Sequence, residues 1–206
     1  LTRDVLIPRP DTECLVEAAL AVMGEDNISK SSPRRVLELA TGSGAVVLSL
    51  ARCFPQDRFF ACDVSIAALQ VAKRNAVKYQ LADNIVFFAS DWFDAVKQTG
   101  TGFDMIVVNP PYIESGEIGR LSPEIRLFEP RIALDGGPDG LQHIRHITRS
   151  AQTYLSPRGS LLMEIGWDQA ARVQQAVDAI KAYDSFQIIK DLAGHDRVAF
   201  FRKKEP

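Results

Sequence analysis

A short apolar strand that stops in a glycine loop and passes directly into an apolar helix can be accommodated by few folds. Here Arg35-Val36-Leu37-Glu38-Leu39 runs into Ala40-Thr41-Gly42-Ser43-Gly44, and an apolar helix follows from about Ala45 to Cys53. The next strand, Arg58-Phe59-Phe60-Ala61-Cys62, ends at Asp63. A unit of this kind builds a parallel sheet whose ligands lie at the carboxyl ends of the strands. Glycines at that edge let the backbone approach a ligand where a Cβ would collide.

The rest of the chain continues the alternation. Ser65 caps a helix to about Tyr79, with Leu69, Ala72, Ala76 and Val77 facing inward. Ile85–Phe88 and Phe103–Val108 read as strands, and a helix from about Gly140 to Leu155 leads to the strand Ser160–Ile165. Asp168 to Ala182 is helical, and Phe186–Ile189 and Val198–Phe201 form a closing antiparallel hairpin that adds an edge. Ahead of the first strand, the stiff Pro8-Arg9-Pro10 leads to Asp11, read as the N-cap of a helix to about Met23 with Leu15, Ala18, Ala19 and Val22 inward. Asn27 to Pro33 is polar and reads as a loop. The stretch from Ile113 to about Asp139 is too long for a plain connector, so it is expected to be functional or mobile.

The glycine loop and Asp63 suit a nucleotide. Asp63 lies nineteen positions past Gly44, where a carboxylate accepts hydrogen bonds from ribose hydroxyls. Val47 stands where a dinucleotide fingerprint needs a small residue, and no Gly-Lys-Ser/Thr follows as a phosphate loop requires. Glu38 places negative charge where phosphates are unwelcome and where an amino group or a sulfonium is suited. S-adenosylmethionine carries both and has no phosphate. Ser90-Asp91-Trp92-Phe93 after the third strand adds a carboxylate and a ring near the expected adenine; the alternative for Trp92 is ordinary core packing.

Asn109-Pro110-Pro111-Tyr112 closes the fourth strand. Consecutive prolines fix φ and remove N–H donors, so the Pro110 carbonyl is a rigid acceptor. The Asn109 side-chain carbonyl is a second. Two acceptors at fixed separation can hold both hydrogens of a planar –NH₂ group, with Tyr112 on its flat face. An amide nitrogen is a poor nucleophile, because its lone pair is delocalised into the carbonyl. Holding both N–H bonds aims the nitrogen at a methyl carbon and favours pyramidalisation, and such orientation is worth ~7–11 kcal/mol. The acceptors also stabilise positive charge building on nitrogen. No strong general base is needed, because the proton can leave after transfer. The catalytic candidates are therefore Asn109, Pro110 and Tyr112. These residues leave two planar acceptors open, a glutamine amide and an exocyclic amino group of adenine or guanine in nucleic acid.

The chain resembles the HemK-type protein-(glutamine-N5) methyltransferases, which modify the Gly-Gly-Gln glutamine of peptide-chain release factors. The resemblance rests on Leu6-Ile7-Pro8-Arg9-Pro10-Asp11-Thr12-Glu13, the loop 40–44, Asp63, Ser90-Asp91-Trp92-Phe93 and Asn109-Pro110-Pro111-Tyr112-Ile113. It continues in Glu129-Pro130-Arg131, Leu134-Asp135-Gly136-Gly137, Asp139-Gly140-Leu141 and Glu164-Ile165-Gly166. The resemblance implies a Rossmann-like class I methyltransferase fold with a seven-stranded, mostly parallel sheet. It implies that Ala40, Thr41, Gly42, Ser43, Gly44, Asp63, Trp92 and Asn109 contact S-adenosylmethionine, alongside Glu38 and Asp91, and that S-adenosylhomocysteine is the product. It implies that Asn109, Pro110, Pro111 and Tyr112 hold the substrate glutamine, with Arg9 fixing the long loop or the peptide. Ala40 stands where the family usually has Gly. Residues 1–30 are expected to be a linker segment and helix that pack on a catalytic domain of residues 31–206. Because the chain begins at Leu1 rather than Met, a fragment without the family's N-terminal helical domain is expected. A ribosomal-protein glutamine is the related alternative, although that branch opens on a motif unlike Pro8-Arg9-Pro10-Asp11.

Composition narrows the partners. The net charge is −2, so no global basic field is present to hold nucleic acid, which leans toward a protein substrate. Cys14, Cys53 and Cys62 show no paired spacing and are expected to be free thiols in a reducing compartment. No apolar run nears the length of a membrane span and no signal peptide is seen, so a cytoplasmic monomer is expected. His143 and His146 lie three apart on one helix but have no third ligand, so no metal is expected. Glu129-Pro130-Arg131 is read as ordering the long loop, with a surface salt bridge as the plainer account.

Overall fold

Period-two alternation in the central strands decides how the layers assemble. In the computed structural model, which describes residues 2–26, 32–98, 100–178 and 180–205, seven strands form one sheet in the order β3-β2-β1-β4-β5-β7-β6. They are β1 (Arg35–Leu39), β2 (Arg58–Asp63), β3 (Ile85–Ala89), β4 (Phe103–Val108), β5 (Leu155–Glu164), β6 (Tyr183–Lys190) and β7 (Asp196–Lys203). Val36, Met105 and Val107 face one side, packing with Leu15 and Ala19 of α1 (Asp11–Asp26) and with Val47 and Leu50 of α2 (Ala45–Cys53). Leu37, Leu39, Ile106 and Val108 face the other, against Ile144 and Ile147 of α5 (Gln142–Tyr154) and Val173 of α6 (Ala170–Asp178). The centre of the sheet is thus covered on both faces, as a parallel sheet requires. It is the seven-stranded, mostly parallel sheet with a C-terminal antiparallel pair that the resemblance implies.

β1 pairs in parallel with β2 on one side and β4 on the other. Strand order reverses there, so the carboxyl ends of β1 and β4 border the crevice where such sheets bind ligands. α3 (Ile66–Lys78) is capped as expected, with Ser65 Oγ accepting from the Ala68 N–H. Val77 does not face inward: it is exposed, and Leu69, Val71, Ala72 and Ala76 make the buried face. The apolar stripe of α3 is narrower than its sequence indicates: the helix packs against β2 and β3 at the edge of the sheet and meets Val5 through Ala68 and Val71.

Asp11 is the first residue of α1 rather than a cap outside it, and its carboxylate pairs with Arg197 at 3.2 Å. Val22 is only partly buried, and Met23 is buried more fully. Most of the polar loop expected at 27–33 lies outside the described residues.

The C-terminal hairpin is antiparallel, but its second strand lies inside the sheet. β7 runs between β5 and β6, antiparallel to both, and β6 takes the edge. Burial explains the order. Arg197 to Phe201 are all buried, whereas β6 keeps residues partly open along its length.

The segment 113–139 carries structure of its own. A 3-10 turn at Ile118–Arg120, the short helix α4 (Pro123–Phe128) and a second 3-10 turn at Arg131–Ala133 return the chain to a bridge between Ile113 and Asp135. Cys14 and Cys62 are buried and Cys53 exposed, all as free thiols.

Candidate active site

Two cavities open at the carboxyl edge of the sheet. The larger, of about 300 Å³, is lined by Glu38, Ala40, Thr41, Gly42 and Ser43 from β1 and its loop, and by Asp63 from β2. Asp91 and Trp92 follow β3, and Asn109 and Pro111 follow β4. Gly44 does not line it. Its φ is +81°, and a Cβ there would sit 3.2 Å from the Ala72 Cβ of α3. That glycine serves the turn into α2 and the contact of α2 with α3.

The backbone turn is held from below. Thr41 N–H bonds the Cys62 carbonyl at 2.9 Å, and Gly42 N–H bonds Asp63 Oδ2 at 2.9 Å. Asp63 Oδ1 accepts from Ser65 N–H at 2.8 Å. Burial raises the Asp63 pKa, while these N–H groups oppose the rise. Glu38 is buried, with Oε2 accepting from the Thr41 hydroxyl and, at 3.2 Å, from Val47 N–H. Loss of hydration lifts its pKa to about 8 despite those bonds. Burial thus favours the neutral form of Glu38 at neutral pH over the charge expected from its sequence position. Ala40 has φ +50° and Trp92 φ +45°, a region that costs a side chain about 1–2 kcal/mol.

Among the described residues no lysine or arginine lines the larger cavity, whereas Asp4, Glu38, Asp63 and Asp91 do. Such a lining rejects phosphate and suits a cationic nucleoside ligand. Trp92 borders this space with its ring 5.2 Å from that of His143, and it also packs on the core. Trp92 thus combines core packing with a place at the cavity's border. His143 went unnoticed as a cavity residue because its helix places it there from a distant part of the chain; His146 is exposed. Among the described residues no group of three His, Cys, Asp or Glu stands close enough to hold a metal.

The second cavity, about 90 Å³, is lined by Leu6, Arg9, Asn109, Pro110, Tyr112 and Glu164, with apolar neighbours from 113–134. The two prolines thus face different spaces, Pro111 the first and Pro110 the second, and Asn109 borders both. Asn109 Nδ2 donates to Thr12 Oγ1 at 3.1 Å, which turns its Oδ1 away from that partner and leaves it for a ligand. The Tyr112 hydroxyl donates to Glu164 Oε1 at 3.0 Å. Gln169, also buried, donates from Nε2 to the Tyr112 carbonyl at 2.9 Å. Gln169 carries no sequence signal of function, since it acts from a separate turn, and Thr12 is marked only as part of the Leu6–Glu13 run, with nothing to show its bond to Asn109.

Arg9 reaches Glu129 with Nη2, at 2.6 and 2.7 Å from the two carboxylate oxygens. The Glu129 side chain is 3% exposed, so this pair is no surface bridge. Of the two tasks expected of Arg9, fixing the long loop is visible. The loop's return is fixed again at Gly136, whose added Cβ would lie 2.7 Å from the Tyr112 Cα.

Residues 21–123 match the Methyltransferase small domain family. The chain is 42% identical to the release factor glutamine methyltransferase of Thermosynechococcus vestitus over 96% of this chain and 66% of that protein. It is 40% identical to the release factor glutamine methyltransferase of Moorella thermoacetica over 100% of this chain and 70% of that protein. It therefore spans about two thirds of the length of these relatives. Among solved structures, the N-terminal domain of human METTL16 in complex with SAH shares the fold, with a TM-score of 0.65 and 18% identity, covering 98% of this chain and 73% of that one. Sheet order, the Asn109–Tyr112 edge and this identity agree: the chain belongs to the release factor glutamine methyltransferase family.

Proposed function

We propose that this chain transfers a methyl group from S-adenosylmethionine to the side-chain amide nitrogen of a release-factor glutamine within a Gly-Gly-Gln motif. The observation that carries the reading is Asn109, which borders both cavities and has its amide oriented by Thr12. Bound in the larger cavity, S-adenosylmethionine supplies an electrophilic methyl group on a sulfonium. Its fit rests on the carboxylates and the absence of lysine and arginine in that lining. Asp63 accepts from the ribose, Trp92 and Asp91 border the adenine, and Glu38 answers the positive charge. In the smaller cavity, Asn109 Oδ1 and the Pro110 carbonyl accept the two amide hydrogens, and Tyr112 lies along the amide with its hydroxyl anchored on Glu164. This grip aims the nitrogen at the wall that the two cavities share.

The relatives' names support a release factor as partner. We place the enzyme in the cytoplasm as a monomer; no helix among the described residues is long and apolar enough to cross a membrane. The test is transfer of labelled methyl to a panel of release factor, its Gln-to-Ala variant, ribosomal protein and DNA. Label on the release factor alone, lost with its glutamine, is expected. Asn109→Ala should lower transfer by about 10²-fold or more while cofactor binding stays measurable. Near-normal turnover in that variant would remove the amide grip.

A further inference from the structure

Glu164 ends β5 beside Asn109, and its side chain is fully buried. Its two oxygens are unequal. Oε1 holds the Tyr112 hydroxyl, and hydrogen bonding from Thr12 also reaches this carboxyl group. Oε2 is buried without a hydrogen-bond partner among the described residues. An unpaired buried carboxylate oxygen costs folding free energy and calls for a reason. Here the reason is close by, because Glu164 lines the same small cavity as Asn109 and Pro110.

We propose that Glu164 accepts the proton that the substrate amide loses as it is methylated. The inference rests on the amide reading given above. The nitrogen lone pair forms the bond to the methyl carbon, and the carbon–sulfur bond breaks with its electrons moving to sulfur. Positive charge passes to a nitrogen bearing two hydrogens and the new methyl. An N-protonated amide is a very strong acid, so forming one without an acceptor is steeply uphill, and the expectation that the proton can leave unaided after transfer is revised here. As the nitrogen becomes tetrahedral, one N–H bond leaves its carbonyl acceptor and gives its electrons to nitrogen and its proton to Glu164 Oε2, which lines the same cavity. A sulfonium and a carboxylate become a thioether and a carboxylic acid, with an N-methyl amide between them. In a site shielded from water, this cancellation of charge favours the forward direction.

The surroundings match the task. Burial raises the Glu164 pKa, which strengthens it as a base, while the Thr12 and Tyr112 hydroxyls and Arg197 of β7 oppose the rise. Asp11 on α1 opposes them, Cys14 also lies within its field, and Arg9 lines the cavity but is engaged by Glu129. Asn109 and Pro110 cannot serve, because neither an amide nor a peptide carbonyl holds a proton at neutral pH.

The test uses the full chain, an acceptor that the wild type methylates, and saturating cofactor in single turnovers. Glu164→Gln keeps an oxygen for Tyr112 and the shape of the site. It is expected to bind cofactor within about threefold of wild type and to transfer methyl about 10²–10⁴-fold more slowly. The wild-type rate should rise with pH along one ionisation to a plateau, and the variant should lose that limb. Infrared difference spectra of the wild-type product complex should show a protonated carboxyl band that the variant lacks. A variant rate within threefold of wild type, or a retained limb, overturns the proposal. If Glu164→Gln does not fold, a wild-type rate independent of pH or a missing carboxyl band does the same. Methylation of an acceptor other than release factor overturns the substrate reading alone and leaves this comparison in force.

Discussion

Glu38 makes cofactor affinity a function of pH, and the size of the effect follows from its burial. In the empty site its pKa is raised to about 8, so at pH 7 a cationic ligand must first expel a proton. The sign follows from linkage. A carboxyl group whose folded pKa lies above its unfolded value stabilises the empty protein most below about pH 4.5. That contribution is lost as pH rises through about 8. Ligand binding runs the other way, because the cation prefers the ionised form. If the bound-state pKa falls well below 6, the association constant follows the ionised fraction of the free protein and increases about ninefold between pH 6 and pH 7. The limit is tenfold per unit, or about 1.4 kcal/mol. Titration calorimetry at these pH values, in two buffers of different ionisation enthalpy, reads both the affinity and the proton released. Glu38→Gln should bind with little pH dependence and release no proton. Flat wild-type affinity, or an unchanged slope in the variant, refutes the assignment of Glu38 as the group that meets the cofactor's charge.

Other consequences concern the frame around the cavities. Gly136→Ala places a Cβ against backbone atoms of Tyr112 at 2.7 and 2.8 Å, so it should cost about 1–3 kcal/mol in chemical denaturation and slow methyl transfer more than tenfold. Arg9→Met strands the buried Glu129 carboxylate. Because Arg9 keeps 30% side-chain exposure, a loss of roughly 1–3 kcal/mol is expected, partly restored by adding Glu129→Gln. Ala40→Gly relieves a left-handed residue at φ +50°, with a net gain of about 0.5–1 kcal/mol and a melting temperature higher by roughly 1–4 °C in calorimetry. A lower melting temperature would show that the strain is compensated.

The sheet was legible because local patterns agree with its architecture. Arg35–Leu39, Ala45–Cys53 and Phe103–Val108 fall within the same bounds in sequence and structure, since each combines a clean apolar run with a glycine or proline stop. Strand order at the C-terminus was less legible. Hydrophobic alternation marks a hairpin but does not say which of its strands meets β5, and only packing on both faces of β7 decides that. Val77 shows the same limit, as an apolar residue at helical spacing that finds no partner. Within the site, residues on the glycine loop and the proline turn could be read because their chemistry is local. Thr12, His143, Glu164 and Gln169 owe their placement to elements far apart in sequence; Thr12 and Glu164 stand in runs that carry the resemblance, but their contacts with Asn109 and Tyr112 could not be read from those runs, and Gln169 announces nothing. Glu38 was visible as a carboxylate, but its proton was not, because burial is a property of the fold.

Leu6, Asn109 and Ala133 each border both cavities. Three separate parts of the chain therefore make one partition with a ligand on either side. A shift of this partition toward one ligand changes the room left for the other, so their affinities are coupled, and the coupling is equal in both directions. Whatever an occupied cofactor cavity adds to the hold on the amide, an occupied amide cavity must add to the hold on the cofactor. In the proposed reaction the methyl carbon must meet the amide nitrogen where the two spaces adjoin, so exchange of methyl donor for thioether product is expected to change the grip on the protein substrate at the boundary that Leu6, Asn109 and Ala133 share.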